Sequence, residues 1–234
     1  MKTISIEGVG EIALKKSRRA KRLILKANHD GSFSITVPYY VPYYAAEQFA
    51  KRQKIWLQQH STHTAPVVFR TGMRIGRTHV LHFTEKPQAT KPSARVTGDS
   101  ISVSYPPTSE VTTPEVQQTA KKAAVRALKK QAEVALPTLL HQLSTQYGYP
   151  YKEVRIKTMR SRWGSCSSGK VINLSIWLMQ LPEELVRYVL CHELAHLTHM
   201  NHSKAFWLTV EAMDPAHKQH RKALKEYQPL LLQT

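Results

Sequence analysis

The chain has 234 residues, 41% of them hydrophobic, enough to bury one good core or a core with a smaller domain beside it. Thirty-four Lys and Arg against sixteen Asp and Glu leave a net charge of +18, a field that attracts polyanions and makes nucleic acid or a nucleotide a candidate partner through a basic surface. The opening MKTISIEGVG has no apolar run behind its lysine, no apolar stretch is long enough to span a bilayer, and Cys166 and Cys191 are the only cysteines, which argues against a signal peptide, a membrane partner and a disulfide framework; the expected compartment is the cytoplasm.

In chain order, short alternating runs come first. TISIEGVGEIALKKS, KRLILKAN, SFSITVP, THVLHFTE and SISVSYP predict strands, punctuated by HDGS, TGMRIG, TGDS and proline pairs. One helix is expected over residues 44–60, where Ala46, Phe49, Ala50 and Trp56 recur at near-helical spacing. KPQATKPSARVTGDS reads as a polar loop, and no repeat of fixed period is visible. These features predict a β-rich N-terminal domain over residues 1–108.

Residues 109–234 have a helical texture and are expected to form a second domain. Thr112-Thr113-Pro114-Glu115 combines a hydroxyl cap, a proline for the first turn and a carboxylate for the helix dipole, and Val116, Ala120, Ala124 and Leu128 follow as one stripe. That helix should reach about Tyr147, with a kink or break near Pro137. EVRIKTM and KVINLSIWL, on either side of the turn-rich SRWGSCSSG, predict a β-hairpin or paired strands with an irregular connection. A second helix starts at LPEEL and leads through Leu185, Val189, Leu190 and Leu194 into HELAHLTHMNHSKAFW.

The histidines of that stretch suit a metal. His192 and His196 are four residues apart, so on a helix both imidazoles reach a common point about 2 Å from each ring nitrogen. Glu193 stands beside them in an H-E-x-x-H arrangement, in which the glutamate is no ligand but takes a proton from the water that the metal activates. His202 completes a three-histidine site if the helix ends near His199 or Met200 and Asn201 adopts the left-handed conformation to reverse the chain. A chain with twelve histidines could hold the motif by chance, but here it lies on an expected helix behind a start signal, which favours one zinc ion per chain. His199 is expected at the helix end, in solvent or behind the ligands, and Cys191 as a small buried hydrophobe.

Arg160, Arg162 and Lys170 flank Trp163 and could form a cationic rim for an oxyanion or a phosphate; Trp163 either stacks on substrate or, the better reading, packs under its loop. Cys166 reads as a loop cysteine rather than a nucleophile. Ser203 suits an N-cap, Phe206 and Trp207 should pack the following helix against the histidine helix, and Met213 reads as core, a floor under the metal being the alternative. HKQHRKALKEYQ should be a solvated basic face.

RSRWGSCSSGKVINLSIWL and LPEELVRYVLCHELAHLTHMNHSKAFW together resemble the YgjP-like metallopeptidase domain, a relative of the SprT-like zincins; the likeness is specific over residues 151–207 and looser over the β-rich half. It implies an α+β fold, with the β-rich region followed by a minimal zincin-like helical core and a short sheet. It implies zinc ligands His192, His196 and His202, Glu193 as general base, and a cleft lined by the strand VINLSIW, which carries Asn173 and whose edge takes an extended peptide. The expected function is therefore a zinc-dependent peptidase acting on peptide or protein. Two alternatives stay open: a metal-dependent nucleoside triphosphate pyrophosphatase of UTP type, with Arg160 and Arg162 holding phosphates, and a basic nucleic-acid-binding protein with a structural zinc. Three good ligands beside a base favour an open site over the structural one.

Overall fold

A computed structural model describes residues 2–27, 32–60, 67–159 and 162–227, which form a mixed α+β protein of several small sheets and helices. The chain divides into two compact units between Val67 and Val68.

In the first unit, β1 (Lys2–Ile6), β2 (Gly10–Ser17), β3 (Ile24–Ala27) and β4 (Phe33–Pro38) form a sheet in the order β1-β2-β4-β3, with a parallel central pair and antiparallel outer pairs. The period-two alternation sets the register: Ile12 lies opposite Phe33 and Leu14 opposite Ile35, all four buried. The helix expected over residues 44–60 is divided at Gln53 into α1 (Tyr43–Arg52) and α2 (Lys54–His60). Ala46, Ala50 and Leu57 share the core of the buried strand residues, and Trp56 meets Phe33 edge-on at 6.3 Å.

The second unit opens with β5 (Arg74–Ile75), β6 (His79–Glu85), β7 (Ser93–Thr97) and β8 (Ser100–Tyr105), in the order β5-β6-β8-β7 with β6 parallel to β8. β7 lies in the segment expected as a polar loop; its half-buried Ala94 and Val96 carry too short an alternation to stand out between prolines and a TGDS turn. After α3 (Pro114–Tyr147) come β9 (Glu153–Lys157), β10 (Gly164–Cys166) and β11 (Val171–Ser175), in the order β10-β11-β9. A 3-10 helix (Ile176–Gln180) and three helices follow, α4 (Glu183–Ala195), α5 (Lys204–Met213) and α6 (His217–Glu226). One pairing scheme thus recurs three times, the third sheet lacking the first strand; what repeats is the hydrogen-bond pattern, so no sequence period reveals it.

The division at residues 67/68, where residue 108 was expected, has a packing cause. The helix α3 lies against β7 and β8, and its Gln131 ties down the β5–β6 turn: Nε2 donates to the Ile75 carbonyl at 2.9 Å and Oε1 accepts from Arg77 N at 2.7 Å. Gly76 has φ +65°, and a Cβ there would meet Gln131 Oε1 at 2.5 Å, so the turn admits only glycine. His79, whose Nδ1 is 2.9 Å from Gln131 Nε2, is held below the usual histidine range by burial. Pro137 does not break α3; the carbonyl it frees belongs to exposed Glu133, while Leu136, Leu140 and Leu143 anchor the opposite side in the core.

Pro182, Glu183 and Glu184 start α4 as expected, and Leu185, Val186, Val189, Leu190 and Leu194 bury its inner face. Three elements are tied together at the far side: the Tyr147 hydroxyl of α3 donates to the Met213 carbonyl of α5 at 3.1 Å and accepts from Arg187 Nη2 of α4 at 2.7 Å. Among the described residues, no helix is long and apolar enough to cross a membrane.

Candidate metal centre

The histidine helix ends earlier than its spacing suggested. Its last residue is Ala195, with His196 as the cap at φ −67°, ψ −13°, and the chain reverses through tight turns in which Leu197 N donates to the Leu194 carbonyl and Thr198 N and His199 N to that of Ala195. Asn201 is not left-handed, since Lys170 is the one non-glycine residue of positive φ among those described. Ser203 then caps α5, accepting from Phe206 N at 3.4 Å, as its residue type predicted.

This reversal brings His202 to the other two histidines. Ring centroids stand 4.9 Å apart for His192–His196, 5.0 Å for His192–His202 and 4.9 Å for His196–His202, and one ligand atom from each lies within 4.8 Å of the others. Nε2 of His192 and Nε2 of His202 are 3.1 Å apart. Tetrahedral ligands at 2.0–2.1 Å from zinc would be about 3.3 Å apart, so this pair already has a suitable bite. His196 Nδ1 donates to the His199 carbonyl at 3.0 Å, which leaves its Nε2 as a lone pair. Burial, then the neighbouring His196 and His202 and the charge of Arg221, push His192 down to about 3, and burial also lowers His202. Three imidazoles gathered in this way fit a divalent ion such as zinc.

Phe206 forms the floor. Fully buried, it lies 4.9 Å from the His192 ring, 4.6 Å from His196 and 4.8 Å from His202. Trp207 stacks on His202 at 5.7 Å and on His217 at 5.9 Å, with the Arg221 guanidinium 4.5 Å over its own ring. The spacing predicts helix packing for both rings and a core position for Met213, with a floor under the metal as its alternative; Met213 ends α5 in the core. Nothing in the spacing of Phe206 marks its contact with all three histidines, because that contact depends on the angle at which α5 returns.

Glu193 is 4% exposed, its Oε2 buried without a partner, and burial raises its carboxyl to about 8 while the charge of Arg162 pulls the other way. Its place depends on Gly164 of β10, where a Cβ would lie 2.5 Å from Oε1 and 2.8 Å from Cδ. Gly164 was missed at the level of sequence; a glycine inside a strand, marking close approach, was the available signal. Burial, and after it the Glu193 charge, pushes the Cys166 thiol up to about 11, which keeps it protonated at neutral pH and a poor nucleophile. Cys191 is fully buried.

Of the expected rim, Arg160 lies outside the described residues, Arg162 is exposed, and Trp163 is half-buried with its carbonyl accepting from Ser175 N at 2.9 Å. Asn173 sits on the central strand β11, and its Nδ2 donates to Ser165 Oγ of β10 at 3.2 Å. The strand expected to present its edge, VINLSIW, is therefore paired on both sides over Ile172–Leu174, and Ile176 and Trp177 belong to the 3-10 helix. The strand lying beside α4 with one side unpaired among the described residues is β10.

A family model described as YgjP-like, metallopeptidase domain, matches residues 21–227. Two solved structures are similar over part of the chain. The metallopeptidase zymogen of Pyrococcus abyssi abylysin is 30% identical, over 38% of this chain and 91% of that one, with a TM-score of 0.36. The metallopeptidase zymogen of Methanocaldococcus jannaschii jannalysin is 18% identical, over 38% of this chain and 93% of that one, with a TM-score of 0.35. No curated protein matches.

Proposed function

This chain belongs to the YgjP-like metallopeptidase family, and from that premise we propose that it hydrolyses peptide bonds with one zinc ion held by His192, His196 and His202 and Glu193 as general base. The observation that carries this reading is the convergence of the three imidazoles beside the buried Glu193 carboxyl group. Zinc bound there would supply Lewis acidity and make a water easier to deprotonate. Glu193 takes that proton on its carboxylate, holds it away from bulk solvent, and returns it to the leaving nitrogen. Burial makes it a stronger base than a solvated carboxylate, and the positive charge of a bound zinc would draw it back toward its ionised form.

An extended peptide pairs its main chain with the free side of β10, which runs past Glu193 at Gly164. Arg162 and Trp163, next to that strand, contact the substrate, while Asn173 braces β10 through Ser165. The test offers the zinc-loaded chain an unfolded protein and, separately, UTP and other nucleoside triphosphates. Peptide release that a chelator abolishes is expected; pyrophosphate release with no peptide cleavage would assign the site to the nucleotide instead.

Gly164→Ala probes the carboxylate's position directly. The added Cβ displaces Glu193, and a misplacement of about 1 Å can cost about a hundredfold. Turnover should fall by that order with zinc content unchanged; a Gly164→Ala enzyme of normal turnover would show that the close approach is not used.

A further inference from the structure

Peptide hydrolysis makes no use of a surface on the first unit. Between Ile12 and His29 the chain holds seven Lys and Arg and no acid. Arg18, Arg19, Lys21 and Arg22, all exposed, lie on the β2–β3 connection. Against it runs the connection from β4 to α1, where Tyr39 is 64% and Tyr40 74% exposed; with Tyr44, at 69%, they are the exposed aromatic residues among those described.

The two connections are held together. Tyr39 N donates to the Ser17 carbonyl at 3.1 Å, and the Tyr40 hydroxyl donates to the Lys21 carbonyl at 2.9 Å. The Lys16 ammonium donates to the carbonyls of Pro38, Tyr39 and Val41. Ser17 Oγ accepts from Arg19 N and Ala20 N, fixing the start of the basic loop. The Arg18 guanidinium lies 5.4 Å over the Tyr39 ring, supporting one face of it.

A run of cations is by itself only a solvated face, and a lone exposed tyrosine is ordinary. Braced aromatic rings set among cations, with no acid in the run, match a ligand that carries both regular negative charge and flat apolar faces. We propose that this face binds single-stranded nucleic acid, with Arg18, Arg19, Lys21 and Arg22 pairing phosphates while unpaired bases stack on Tyr39 and Tyr40. A duplex hides its base faces, so it offers this surface phosphates alone. Neither contact reads the 2′-hydroxyl, so DNA and RNA strands bind alike.

The experiment titrates the full chain into labelled oligo(dT), oligo(rU) and a duplex of the same length, about twenty nucleotides each, reading anisotropy from about 50 to 200 mM salt. Both single strands should bind more tightly than the duplex. With four phosphates paired at about 0.7 per contact, the slope of log K against log salt should approach about −3. Tyr39→Ala with Tyr40→Ala should weaken single-strand binding about fivefold or more per ring, whereas Tyr39→Phe with Tyr40→Phe retains most of it, because stacking uses the ring and the Tyr39 N and Lys16 hydrogen bonds still hold the two connections together without the Tyr40 hydroxyl. Circular dichroism checks that both double variants are folded. Absent binding at the lowest salt, full binding by the alanine pair, or a preference for duplex would each overturn the proposal. Capture of phosphatidylserine vesicles in place of either strand would also overturn it, by assigning the face to a lipid surface.

Discussion

Glu193→Gln should keep the metal and lose the reaction. The substitution preserves the size of a side chain packed against Gly164, so β10 and α4 stay where they are, and the three imidazoles are untouched. What disappears is the ability to take a proton, worth about a hundredfold to ten-thousandfold. Glutamine also brings an NH₂ donor into a place where Oε2 has no partner, and leaving one buried donor unpaired costs about 1–3 kcal/mol, enough to register in the melting temperature without unfolding the chain. Turnover and bound zinc are measured on one sample. Full zinc with near-normal turnover would remove Glu193 from the base role, and loss of both would make it a support of the site.

His196→Ala should lose the metal itself. His196 is the one ligand candidate whose tautomer is set by a backbone contact, the Nδ1 hydrogen bond to the His199 carbonyl, so it offers zinc a lone pair already oriented. Outer partners of this kind are commonly worth about ten- to a hundredfold in affinity, and removing the ligand with its partner should exceed that. Zinc per chain should fall from near one to near zero after dialysis, with turnover below detection. The fold should persist, because Phe206 and the inner residues of α4 remain buried. Equal zinc in wild type and variant would end the assignment of His196 as a ligand.

Reading the residues alone went furthest where the chemistry is local. The helix start at Pro182-Glu183-Glu184, the four-residue spacing of His192 and His196, the Ser203 cap and the burial of Cys191 all follow from contacts within a turn or two of chain. The strands β3, β4, β6 and β8 were legible through alternation, β1 and β2 only as one run that the antiparallel pairing divides, whereas β7 was masked by its flanking prolines and turn residues. Of the kink or break expected at Pro137, the break does not occur, because the local rule for helix breaking yields when the freed carbonyl is exposed and the other face is anchored by leucines.

What the amino-acid sequence determined by itself is the inventory: three imidazoles and a carboxylate at spacings one helix and one reversal can gather, an α+β pattern, and a strongly basic chain. Tertiary structure alone decided the rest. Packing of α3 on β7 and β8 assigned the second sheet to the second unit. Strand pairing made β10 rather than β11 the free edge beside α4, and the return of α5 set Phe206 under all three histidines. The close fit of Gly164 to Glu193 likewise joins residues twenty-nine positions apart. Periodicity and capping report interactions along one element. Which element lies against which, and which side of a strand stays unpaired, is settled by contacts between elements distant in sequence, and these leave no local pattern to read.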